Sequence, residues 1–106
     1  MVEEMVKTKE DIISTLRNNR GALEAFGVKR LGLFGSFVRN EQQQFSDVDF
    51  MVEFEAGRKT FDNFMALSFL LEALLQRKVE LVTAESLSPY IGPSILDEVE
   101  YVSLAA

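Results

Sequence analysis

Two short stretches decide the fold: Leu33-Phe34-Gly35-Ser36-Phe37-Val38-Arg39 and Ser46-Asp47-Val48-Asp49-Phe50-Met51-Val52. The first closes an apolar run, Leu31 to Phe34, with Gly35-Ser36, the pattern of a buried strand that turns sharply at its end. The second alternates from Asp47 to Phe54. Val48, Phe50, Val52 and Phe54 fall on one face, and Asp47, Asp49, Met51 and Glu53 on the other. That reads as a strand with one apolar side and one side carrying carboxylates.

Working outward, Thr8 followed by Asp11 is a helix-capping pattern. Ile12, Leu16, Leu23 and Phe26 keep helical spacing up to Gly27, with an interruption near Asn19 to Gly21. Thr60 caps a second helical region reaching Leu75, and its large apolar residues cover more than one face. Val79 to Thr83 reads as a third strand, and after Pro89 and Pro93 a last helix is expected over Ser94 to Val102. The expected fold is α+β (α/β mixed), a single domain over residues 1–106 with a small mixed sheet of about three or four strands packed with helices. The third strand follows a helical crossover and is therefore expected parallel to the second.

Composition narrows the chemistry. The chain has 106 residues, 47% hydrophobic and 26% charged, with neither Cys nor His. Disulfides, thiolate zinc sites and every His-based general base or triad are excluded, so any catalysis runs on carboxylates, Lys or Arg, hydroxyls and bound ions. No apolar stretch is long enough to span a membrane, and Glu3 and Glu4 stand where a secretory leader would carry basic residues, so a cytoplasmic location is expected. The net charge of −6 argues against direct nucleic-acid binding, which needs clustered Lys and Arg. Residues 79–106 hold five acids and no base.

Three features carry chemistry. A strand ending in Gly35-Ser36 exposes backbone N–H groups at a turn where Gly35 permits close approach. Arg39 stands three residues after Ser36, where a protein-only capping box would prefer Glu or Gln. This suits a phosphate, although a plain Gly-Ser turn with a surface Arg has the same pattern. Asp47 and Asp49 leave one strand face with Cα atoms roughly 7 Å apart, either as a platform for hard divalent cations or as a solvated edge. Glu80, set among Val79, Leu81 and Val82, is an acid in an apolar strand beside the second and is expected to be buried, hence paired or metal-bound. Glu53 lies further along the carboxylate face and reads as solvated or salt-bridged.

Taken together, Gly35-Ser36, ten intervening residues, Asp47-x-Asp49 and a later strand acid in Lys78-Val79-Glu80-Leu81-Val82 resemble the minimal nucleotidyltransferases of the DNA polymerase β-like superfamily. The likeness covers about Val28 to Tyr101. It implies the nucleotidyltransferase fold and transfer of AMP from ATP to an acceptor hydroxyl with release of pyrophosphate. It also implies that Gly35, Ser36 and Arg39 hold the nucleotide. Asp47, Asp49 and Glu80 would act as catalytic residues and hold two Mg²⁺, with Glu80 favouring deprotonation of the acceptor. The family often carries Asp at the position of Glu80, and the extra methylene bears on rate more than on nucleotide binding.

Small members of this family resemble antitoxins that act on helical HEPN toxins, in some cases by adenylylating a toxin tyrosine. The implied partner is a cognate HEPN-type toxin. The alternative is a non-catalytic module that neutralises its toxin by direct masking. The helix from Phe61 to Leu75 reads either as a partner contact surface or as packed between the sheet and another helix of the chain, the Pro89 to Pro93 segment reads as a turn before the last helix or a contact loop, and homo-oligomerisation stays open.

Overall fold

In the computed structural model, residues 5–103 are described. Thr8 starts helix α1, Lys9–Asn18, through a reciprocal capping box. The Asp11 N–H donates to Thr8 Oγ1 at 3.1 Å, and the Thr8 N–H donates to Asp11 Oδ2 at 3.2 Å. The interruption falls at Asn19, after which α2 spans Arg20–Ala25. Ile12, Leu16 and Leu23 from these helices are fully buried.

Strand β1 runs Val28–Phe34, β2 runs Val48–Phe54 and β3 runs Val79–Thr83, with helix α3, Phe61–Leu75, between the last two. Thr60 accepts the Asn63 N–H and so caps α3. β2 and β3 pair in parallel, as the α3 crossover requires, whereas β1 and β2 are antiparallel.

The C-terminal segment departs from expectation. Helix α4 covers only Gly92–Glu98. Val99 takes extended dihedrals (φ −60°, ψ 133°), and Glu100–Val102 forms a fourth strand, β4, antiparallel to β1. The helix expected to reach Val102 ends because the free edge of β1 offers backbone partners to Glu100, Tyr101 and Val102. The sheet order is β3-β2-β1-β4.

One sheet face carries Leu31, Leu33, Val48, Phe50 and Val52 into a core shared with Ile12, Leu16, Leu23, Leu67, Leu71 and Leu75. Helix α3 buries the single stripe Leu67, Leu71 and Leu75, leaving Phe61 and Phe69 77% and 63% exposed. The opposite sheet face bears Asp49, Met51 and Glu53. It is the side that bears the candidate site residues Asp49 and Glu80. Among the described residues, no helix is long and apolar enough to cross a membrane.

Candidate active site

β1 delivers the chain to Gly35, whose φ of +82° lies in the left-handed region that only glycine adopts without strain. A side chain here meets a second obstacle, because a Cβ on Gly35 would overlap the Asp49 carboxylate and stand 3.0 Å from its Cγ. Glycine thus lets the turn lie directly against that carboxylate. The turn continues through Ser36 to Asn40, with the Val38 and Arg39 N–H groups bonded to Gly35 O at 3.1 and 3.2 Å. Phe37 is buried beneath it and anchors it to the core.

Sheet register sets the carboxylates. On β2, Asp49 stands opposite Phe34 of β1 on one side and Glu80 of β3 on the other. The Asp49 and Glu80 carboxyl groups lie within hydrogen-bonding contact. Burial, chiefly, and then the hydrogen bond and negative charge of Glu80 and the charge of Asp47 push the Asp49 carboxyl up to about 6, with Arg39 opposing the shift. Asp47 is exposed, just outside the start of β2.

Glu80 is exposed, not buried as expected. It projects from the open sheet face shared with Asp49, while Val79, before it on β3, turns into the core. Apolar neighbours in sequence do not bury a residue whose strand face is open.

The structure therefore sets Gly35 against Asp49, places Glu80 opposite Asp49 on the neighbouring strand, and leaves Asp47 close enough for its charge to reach Asp49. Ser36 is half-buried in the turn. Among the described residues, no three acids are drawn into a closed metal-holding cluster. The facing carboxylates of Asp49 and Glu80, with Asp47 adding negative charge, leave an unneutralised all-oxygen donor set of the kind that hard divalent cations take. That chemistry fits Mg²⁺.

Two residues that sequence reasoning passed over bond to the segments that form this site. Glu98, from α4, accepts the Gly35 N–H on Oε2 at 3.0 Å and forms an ion pair through Oε1 with Arg39 Nη1, while Arg39 Nε also pairs with Glu41 at 2.6 Å. These two partners, Glu98 foremost, raise the Arg39 pKa. A backbone N–H and a guanidinium expected to receive phosphate thus hold a carboxylate of the same chain. The second residue, Arg77, is buried just before β3. In sequence it looks like an ordinary base at a helix C-terminus.

A strand-turn beside two facing acids of a mixed sheet is an arrangement that phosphoryl transfer can use, and the class itself comes from the family. The model of the nucleotidyltransferase domain matches residues 13–102, and the chain belongs to that family. It is 44% identical over 96 residues, 90% of this chain and 96% of the relative, to the protein adenylyltransferase MntA of Thermococcus cleftensis. A solved structure provisionally assigned as a minimal nucleotidyltransferase superposes with a TM-score of 0.66 at 35% identity, covering 83% of this chain and 93% of the other. The fold is also shared with the MNT antitoxin type of assembly. A tri-AMPylated HEPN toxin in complex with an MNT antitoxin from Shewanella oneidensis matches at TM-score 0.60 and 19% identity, covering 88% of this chain and 73% of that one.

Proposed function

We propose that this nucleotidyltransferase moves AMP from ATP onto a hydroxyl of a protein partner, a tyrosine of a cognate HEPN-type toxin, and thereby acts as its antitoxin. The observation that carries the reading is the close approach of the Gly35 turn to Asp49, which stands opposite Glu80, so that the turn lies beside paired carboxylates. The 44% identity to a protein adenylyltransferase supports a protein acceptor, and the fold shared with a toxin-bound MNT antitoxin supports the partner.

In this reading Gly35, Ser36 and Arg39 orient the triphosphate, and Asp47, Asp49 and Glu80 hold two Mg²⁺. When bound, the ions stabilise negative charge on the attacking and leaving oxygens. The acceptor oxygen forms a bond to the α-phosphorus as the bond from that phosphorus to the bridging oxygen breaks, and pyrophosphate leaves. The hydroxyl proton passes to the Glu80 carboxylate. Glu80's exposure suits this role, since a protein hydroxyl can reach an acid on an open face but not one in a core.

The test is Mg²⁺-dependent incorporation of labelled AMP into the co-expressed partner. Labelling is expected with the wild type and is expected to vanish in Asp47→Asn and Asp49→Asn. Equal labelling by these variants refutes the reading. The masking alternative draws on the exposed Phe61 and Phe69 of α3. Under it, both Asn variants still protect cells, whereas a folded variant with both phenylalanines replaced does not.

A further inference from the structure

Arg77 is 8% exposed, yet among the described residues it has no acidic partner within salt-bridge distance. Its charge is spent on backbone carbonyls. Nε donates to Val6 O at 2.7 Å, and Nη1 donates to Gln43 O, Gln44 O and Ser46 O at 3.2, 3.0 and 2.9 Å. The guanidinium also lies over the Phe37 ring, 5.0 Å from its centroid. One side chain thus grips the segment before α1, the irregular segment that ends at Asp47, and the turn that follows Gly35-Ser36.

The geometry decides why this is arginine. The segment from Glu41 to Asp47 contains no helix or strand, and apart from one long-range bond, Gln42 Nε2 to Lys7 O at 3.1 Å, its other backbone ties are local: Glu41 N–H to Ser36 O at 2.8 Å, Gln43 N–H to Ser46 Oγ at 2.7 Å, and Ser46 N–H to Gln43 O at 3.1 Å. Only the planar fork of a guanidinium serves carbonyls on both sides while its face rests on an aromatic ring. An ammonium keeps the charge but not the fork. A buried cation whose hydrogen bonds all run to carbonyls is costly if it merely fills space, because a well-packed apolar side chain would do that without desolvating a charge.

We propose that Arg77 is a positioning residue that fixes the distance between the Gly35-Ser36 turn and the Asp47 end of β2, and so between the nucleotide phosphates and the acids that hold the metal. The proposal rests on the phosphoryl-transfer reading for its consequence in catalysis, but its structural content does not. Arg77 touches neither substrate nor metal. It acts through the segment that carries Asp47 and through Phe37.

The test compares Arg77→Lys and Arg77→Met with the wild type in thermal unfolding, amide hydrogen exchange over residues 43–48, Mn²⁺ titration followed by paramagnetic resonance, and steady-state AMP transfer. The expected result for Arg77→Lys is a folded protein with protection lost over residues 43–48 while the β1 and β2 amides stay protected. Its Mn²⁺ affinity is expected to fall by about tenfold or more. Its kcat should fall in parallel while the KM for ATP changes much less. Unchanged exchange over residues 43–48 in the folded Lys variant overturns the proposal, and so does protection lost evenly across the sheet. If the wild type transfers no AMP, the proposed reaction fails while the exchange measurement still decides the role of Arg77. If Arg77→Met does not fold, the Lys variant alone decides it.

Discussion

Asp49, proposed to hold a metal, carries a cost in stability that its surroundings explain. Its carboxyl is half-buried, faces Glu80, feels Asp47, and is pushed up to about 6. In the unfolded chain the same group titrates near 3.8, so between these values the folded state binds more protons than the unfolded one. Stability is therefore highest below pH 4 as far as this group is concerned, is lost as pH rises toward 6, and stays reduced above it. Asp49→Asn removes the titration. Without divalent cations at pH 7.5, the variant is expected to be more stable than the wild type by about 1–2 kcal/mol, the pKa difference discounted for solvent at the open face. At pH 4 the two should unfold together. Denaturant midpoints at the two pH values check this, and a variant less stable than the wild type at pH 7.5 contradicts it. The Gly35 turn and the placement of Asp49 on its strand face were legible in the sequence because turn chemistry and two-residue alternation are local signals, whereas Asp47, read as part of the same strand, lies just before it. The exposure of Glu80 was not legible, because it depends on which side of the sheet the helices cover.

At the scale of elements, the strands and helices with strong local patterning, β2, α3 and β3, follow from sequence. The end of the chain does not. β4 has three residues and exists only because β1 has a free edge, with Arg30 lying over the Tyr101 ring at 3.7 Å and Gly32 leaving room for Val99 and Tyr101. No window of the sequence contains both partners. Ending α4 at Glu98 has a functional consequence, because the last residue of the helix reaches the Gly35 N–H and Arg39. Under the proposed reading, in which these donors hold the triphosphate, the nucleotide and the Glu98 carboxylate compete for them. Glu98→Gln is expected to lower the KM for ATP by about three- to tenfold with kcat little changed, since the neutral amide releases Arg39 to the phosphates. A KM that rises instead means that Glu98 organises the turn, not that it competes for it. Nucleotide titrations of both proteins separate the two.

Across the whole molecule, charge is redistributed by folding. Residues 79–106 hold acids and no base, which in sequence reads as a solvated acidic stretch. In the fold, Glu85 pairs with Lys59, Glu98 with Arg39 and Glu100 with Lys9, so bases from distant segments compensate three of those acids. Asp47, Asp49 and Glu80, by contrast, have no ion-pair partner among the described residues, and Asp49 feels the charge of the other two. A ligand that binds only the folded state stabilises it by mass action, about 1.4 kcal/mol at ten times its Kd. For a domain of this size that raises Tm by about 5–10 °C. Mg²⁺ with ATP should therefore stabilise the wild type, whose acids repel one another when empty-handed, and leave Asp49→Asn almost unmoved, since the amide supplies no charge to the ion. The order of the two proteins must then reverse: the Asn variant melts higher in EDTA, and the wild type melts higher once Mg²⁺ and ATP are well above their dissociation constants. Thermal scans at pH 7.5 under both conditions test the reversal. A wild type that stays below the variant in saturating Mg²⁺ and ATP shows that these carboxylates are not the ion's binding site.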